Sequence, residues 1–148
     1  MSSTHSCLRY HLAFSTKGRH LWIHDSWETR LYGYLGGIIR GLGGVAEAIG
    51  GVADHVHVLA NLKPTHCLAD VLRDIKSGSS RWIHEEIQNN MFGWQDGYGA
   101  FTVGSSEIES IKQYIQNQKE HHNGKTFQEE YVGLLIKSGI EFDEKYLW

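Results

Sequence analysis

The sequence is poor in the features that mark several protein classes. Two cysteines, Cys7 and Cys67, in 148 residues cannot build a disulfide framework. A single proline, Pro64, leaves few rigid linkers, and the length suits one domain with a real core. No apolar run approaches the roughly 18 residues of a membrane span, and the opening MSSTHSCLRY lacks the apolar stretch of a secretory signal. The cytoplasm is therefore the expected location, with no membrane partner. Basic charge is not in excess: the formal net charge is −3, which argues against bulk polyanion binding. No CxxC pair exists for a structural zinc site. The glycines at 41, 43 and 44 precede a strand pattern and lack the Gly-Lys-Ser/Thr of a phosphate loop. No nucleophile-elbow or Ser-His-Asp signature is visible.

What the chain does have is patterning. Leu8, Tyr10, Leu12 and Phe14 alternate along a first strand. Apolar residues from Trp27 to Ile39 follow a helical period, with Asp25 or Ser26 as a cap and a glycine stop at 41–44. Residues 45–49 and 54–62 read as a hairpin turning at Gly50-Gly51. The strongest helical period runs from Leu68 to Ile87. Residues 98–103 read as a strand, and Ser105 or Ser106, with Glu109, predicts a capped helix carrying Ile108, Ile111 and Ile115. Phe127–Ser138 predicts a tail helix. The order strand, helix, strand, strand, helix, strand is the split β-α-β, ferredoxin-like order. The expected fold is α+β, with helices on one face of an antiparallel sheet, the other face open, and a C-terminal helical tail. One domain spans 1–148, with a core of about 8–122 and a tail of about 123–148. From Phe127 onward the tail holds five acidic residues against two lysines, so the body before it is neutral.

His55-Val56-His57 is the first chemical candidate. On a strand, residues i and i+2 share a face about 6.5–7 Å apart, so both imidazoles can tilt onto one metal ion while Val56 and Val58 enter the core. The pattern also fits two polar residues on the outer face of a half-buried strand. Tyr114 and Gln118, four residues apart on a predicted helix, are neighbours at the margin of its apolar stripe. They form either a hydrogen-bonded shoulder or the wall of a site. A tyrosine can act as a covalent nucleophile, and a metal can polarise a phosphate for it. His66-Cys67 follows the Pro64 turn, outside the strand. His121-His122 reads as a solvated helix end.

The segments Tyr10–Lys17, Asp54–Leu59, Ile75–Ser77 with Ser80–Trp82, and Tyr114–Gln118 resemble the single-tyrosine HUH transposases of small insertion sequences. The REP-associated tyrosine transposases are close relatives of these. The resemblance runs in one order from about residue 8 to 122. It implies that His55, His57 and Gln118 hold a divalent cation, Mg²⁺ or Mn²⁺. It further implies that Tyr114 attacks DNA, leaving a 5′-phosphotyrosine and a free 3′-hydroxyl. The implied partners are single-stranded DNA hairpins and a second copy of the chain, with the tyrosine helix of one subunit completing the other's site. Lys17, Arg19, Arg73, Lys76, Ser77 and Arg81 are the residues available to DNA phosphates. The acidic tail would then cover the other side of the dimer or compete with DNA as an intramolecular mimic. Two other functions stay open: a domesticated REP-type hairpin nickase and strand transferase, or a non-catalytic nucleic-acid-binding module on the same fold.

Overall fold

The computed structural model describes residues 3–122 and 124–147. Its core is a four-stranded antiparallel sheet of β1 (Leu8–Ser15), β2 (Val45–Val52), β3 (His55–Leu62) and β4 (Gly99–Thr102), in the order β2-β3-β1-β4. Between β1 and β2 runs α1 (Glu28–Gly41), and α2 (Leu68–Trp82) follows β3. After β4 come α3 (Ile108–Gln116), α4 (Gln118–His121) and α5 (Phe127–Lys137). This is the α+β, ferredoxin-like topology that the alternation and helical periods imply. Among the described residues no helix is long and apolar enough to cross a membrane.

Strand alternation sorts the side chains into two layers. Leu12, Phe14, Val56, Val58 and Ala60 pack against Leu31, Leu35 and Ile39 of α1 and Val71, Leu72 and Ile75 of α2. These helix residues recur at intervals of three and four, which makes one apolar stripe per helix. The intervening residues, His11 on β1 and His55, His57 and Leu59 on β3, lie on the opposite face. Contrary to expectation, that face is covered. Ile115 of α3 packs there with Leu59, Ala48 and Val103, and Phe127, Tyr131 and Leu135 of α5 close over Phe101 of β4.

Several local expectations fail for identifiable reasons. Gly50 and Gly51 lie inside β2, paired with His57 and Val56, and the chain turns after Val52 instead. Their lack of a side chain serves close approach. A Cβ on Gly50 would stand 2.1 Å from the Ile115 carbonyl oxygen, and one on Gly51 2.2 Å from that of His55. Ser105 and Ser106 do not cap α3. They form a short 3-10 turn, and α3 starts at Ile108 without a side-chain cap. The long helix changes to a π-turn at Ile83–Ile87. Gln88 after it adopts a left-handed backbone, φ 65°.

Gly50 is thus where α3, and Tyr114 with it, rests on the sheet. Replacing Gly50 by Ala forces the Ile115 backbone away, and the overpacking should destabilise the fold by about 1–3 kcal/mol. Urea unfolding of G50A measures this. A midpoint unchanged from that of the parent protein would refute the close-packing role.

Candidate functional site

β3 contributes His55 and His57, both fully buried, to the face covered by α3–α5. Asp54 Oδ1 lies 2.7 Å from His55 Nδ1, and His11 Nε2 of β1 lies 2.7 Å from His57 Nδ1. The far nitrogens of both rings point at one side chain, Glu130 of α5. Its Oε1 is 2.8 Å from His57 Nε2, 3.4 Å from His55 Nε2 and 3.2 Å from His122 Nε2. Its Oε2 accepts from the Tyr114 hydroxyl and, at 3.0 Å, from Gln118 Nε2. Gln118 Oε1 lies 2.9 Å from His55 Nε2. The structure therefore gathers Tyr114, Gln118, His55 and His57 around one carboxylate. Tyr114 and Gln118 do not share one helix: the backbone breaks at Asn117 (φ −99°, ψ 21°), which turns Gln118 inward to 1% exposure.

The hydrogen bonds fix the chemical character of this cluster. Glu130 can only accept from Gln118 Nε2, so Gln118 must turn its oxygen toward His55. Asp54 can only accept, so His55 carries a proton on Nδ1. The other ring nitrogen, Nε2, faces only oxygens, those of Gln118 and Glu130. His122 repeats the pattern. Its Nδ1 lies 2.5 Å from the Lys125 carbonyl oxygen, which only accepts, and its buried Nε2 has no hydrogen-bond partner among the described residues. Oxygens and ring nitrogens converge there, an arrangement that favours positive charge at their centre, on a ring or on a bound cation. Imidazole, amide and carboxylate donors together fit a divalent cation. His55, His122 and Glu130 alone offer three ligand atoms within 4.8 Å of one another.

Burial pushes His11 down to about 3, assisted by His57 and opposed by Glu130, so His11 is neutral. Burial also lowers His57, against the pull of Glu130. It raises the Tyr114 phenol well above its usual range, and Glu130 adds to this. Burial alone would raise the Glu130 carboxyl. Donors from His57, Tyr114 and Gln118 outweigh it and keep Glu130 ionised.

Three members of the cluster were not singled out from the sequence. His11 is hidden in an ordinary strand pattern. His122, expected to be solvated, is drawn in because the chain folds back at Lys125. Glu130 had a signal: it shares the 127–131–135 stripe of α5, where an acidic side chain is out of place on an apolar face. Thr126 and Glu129 complete the start of that helix, with the Thr126 hydroxyl accepting from the Glu129 amide. His66 binds the Leu42 carbonyl and the Lys63 amide, a loop brace.

The basic candidates do not join this cluster. Arg73, Ser77 and Arg81 are exposed on α2, which packs on the other side of the sheet, and Arg73 pairs with Asp70 and Asp74. Lys76 is engaged within the protein, donating to the carbonyls of Gln95 at 2.8 Å and of Gly97. Lys17 is exposed and lines a cleft with Gln95, Tyr98, Tyr131 and Tyr146; Arg19 lies two residues on, with a left-handed backbone (φ 56°).

Residues 4–118 match the family model described as "Transposase IS200 like". The chain belongs to the IS200-like transposase family. Membership implies DNA cleavage and strand transfer. Of the curated relatives, the ISDra2 transposase TnpA of Deinococcus radiodurans is 25% identical over 119 residues, covering 76% of this chain and 85% of that one. A crystal structure from the same organism, described as a transposase, matches with a TM-score of 0.64 at 27% identity, over 80% of this chain and 95% of that one. A REP-associated tyrosine transposase bound to a REP hairpin has the same fold, with a TM-score of 0.61 at 13% identity, over 82% and 74%.

Burial lowers Lys76 to about 8, with Asp96 opposing. A base whose folded value lies below its unfolded value of about 10.4 makes the fold gain stability as pH rises between the two. The parent protein should therefore gain stability relative to Lys76→Met between pH 8 and 10. Parallel thermal-unfolding curves for the two proteins across that window would refute it.

Proposed function

We propose that this transposase cuts and rejoins single-stranded DNA at hairpin-bearing ends, with Tyr114 as nucleophile and Mg²⁺ or Mn²⁺ held by His55, His57 and Gln118. The observation that carries this reading is the convergence of Tyr114, Gln118 and both histidines on one carboxylate. A bound divalent cation would polarise the scissile phosphate and offset its charge. Every other part is assigned to the chain. The Tyr114 oxygen forms a bond to phosphorus while the bond to the 3′-oxygen breaks, leaving a 5′-phosphotyrosine and a 3′-hydroxyl that takes up a proton. The phenol proton leaves to water, because the entering phosphate displaces Glu130, the partner of the Tyr114 hydroxyl in this structure. Rejoining reverses these steps with a different 3′ end, so no outside energy source is needed.

Glu130 also has the charge and span of the group that must displace it. One oxygen faces the imidazoles and the other faces the nucleophile, as two oxygens of a phosphate would. The carboxylate and the scissile phosphate therefore compete for one place, and α5 acts as the intramolecular mimic. This arrangement keeps the phenol protonated until DNA enters.

Replacing Tyr114 by Phe should abolish covalent capture of labelled hairpin DNA in the presence of Mn²⁺ and leave hairpin binding intact. Capture by Y114F at the parent level would sink the nucleophile assignment. Replacing His55 or His57 by Ala should lower metal-dependent cleavage by at least ~10²-fold, the scale of losing a major electrostatic contribution. A domesticated hairpin nickase shares these outcomes, whereas a binding module gives no covalent band with any of the proteins.

Glu130→Gln keeps the shape and removes the charge. Less DNA should then be needed for half-maximal hairpin binding, measured by gel shift with the Y114F background held constant. An unchanged or weaker affinity would refute competition.

A further inference from the structure

His57 differs from the other two histidines of the cluster in what holds it. His55 is held by a carboxylate and His122 by a backbone carbonyl, both of which only accept. Each of these two rings therefore carries a proton on Nδ1 and turns Nε2 toward Glu130. The partner of His57 is another imidazole, His11, at 2.7 Å and 2% exposed. A neutral imidazole offers one donor and one acceptor, so the contact can run in either direction.

The direction follows from the opposite side of the ring. While Glu130, which only accepts, is its partner at 2.8 Å, His57 Nε2 must carry a proton and donate it. Its Nδ1 then accepts from His11 Nε2–H. A cation at the centre requires the lone pair on His57 Nε2, so the proton must sit on Nδ1 and His11 must accept.

We propose that His11 is a positioning residue that lets His57 exchange tautomers, so that the metal site forms without either ring becoming charged. The inference rests on the reading of this cluster as a metal centre. In the exchange, the His57 Nε2 proton leaves to solvent. The His11 Nε2 proton crosses to His57 Nδ1, and His11 takes a proton from solvent on Nδ1. The pair holds two protons before and after. A carboxylate at position 11 would lock the ring as Asp54 locks His55. An apolar residue there would leave the buried Nδ1–H of the metal-bearing form without an acceptor.

The test uses two independent readouts on the full chain. Nitrogen-15 histidine spectra of the parent protein should show His57 protonated on Nε2 without metal and on Nδ1 with saturating Mg²⁺. His57 on Nδ1 under both conditions overturns the proposal. Titration calorimetry with Mn²⁺ should show His11→Phe binding about 10–100-fold more weakly, the scale seen for partners of metal-ligating histidines. His11→Gln, whose amide can donate or accept at the same place, should bind close to the parent level. H11F binding like the parent, or H11Q falling as far as H11F, overturns it. If H11F does not fold, by circular dichroism, the spectra of the parent and the H11Q titration decide alone. A parent protein that binds no Mn²⁺ removes the metal centre and this inference together. A parent that binds Mn²⁺ while H11F does too removes only the inference.

Discussion

The site depends on a problem of charge. Three imidazole nitrogens, an amide oxygen and a carboxylate face one another in a volume from which water is largely excluded. Two of the imidazoles are fixed by acceptor-only neighbours, Asp54 and the Lys125 carbonyl, so both carry a proton on Nδ1 and turn Nε2 inward. Buried acceptors without donors are expensive, on the order of 1–3 kcal/mol for each group. Only a cation or extra ring protons can relieve the arrangement. The surrounding fold is arranged to keep it in place. β3 fixes both histidines, the break at Asn117 turns Gln118 inward, and Gly50 lets α3 approach closely enough for Tyr114 to reach the same carboxylate.

Much of this architecture was legible in the sequence, because strand alternation is a strict signal. His55 and His57 had to share a face once Val56 and Val58 were assigned to the core. The order of elements gave the ferredoxin-like topology by the same logic. Tyr114 and Gln118 were marked by polar residues at the edge of an apolar stripe. The signals that misled were local ones overridden by tertiary contact. Gly50-Gly51 looks like a turn, yet it is an approach surface. Ser105 and Ser106 look like caps, yet the helix begins later. His122 and His11 carried no pattern of their own, since their roles arise from contacts with distant segments: His11 meets His57, 46 residues away, and His122 meets the His55 ring of β3.

The basic side chains pose a different question of geometry. Arg73, Ser77 and Arg81 stand on α2, and the sheet separates α2 from the histidine cluster. A strand bound at the cluster cannot touch them without passing around a sheet edge. Lys76 marks one such edge, where it holds the carbonyls of residues 95 and 97 beside β4. Lys17 lines the cleft at that edge, with three tyrosines that could stack on unpaired bases. For the hairpin substrate proposed above, a neutral body suits recognition of shape better than attraction to charge.

The acidic tail then has a physical place in the same scheme. Most of its acids are exposed, but Glu130 is 4% exposed and is satisfied by donors from three separate elements. α5 reaches it through a small apolar contact, Phe127 stacked on the His55 ring and Tyr131 and Leu135 against Phe101. That packing is much smaller than the main core behind the sheet. The hold of α5 therefore joins this apolar contact to the buried carboxylate of Glu130. Under the proposed function, a DNA phosphate competes for the place that Glu130 fills. Because that apolar contact lies apart from the core between the sheet and α1 and α2, α5 can yield to such a competitor without disturbing that core.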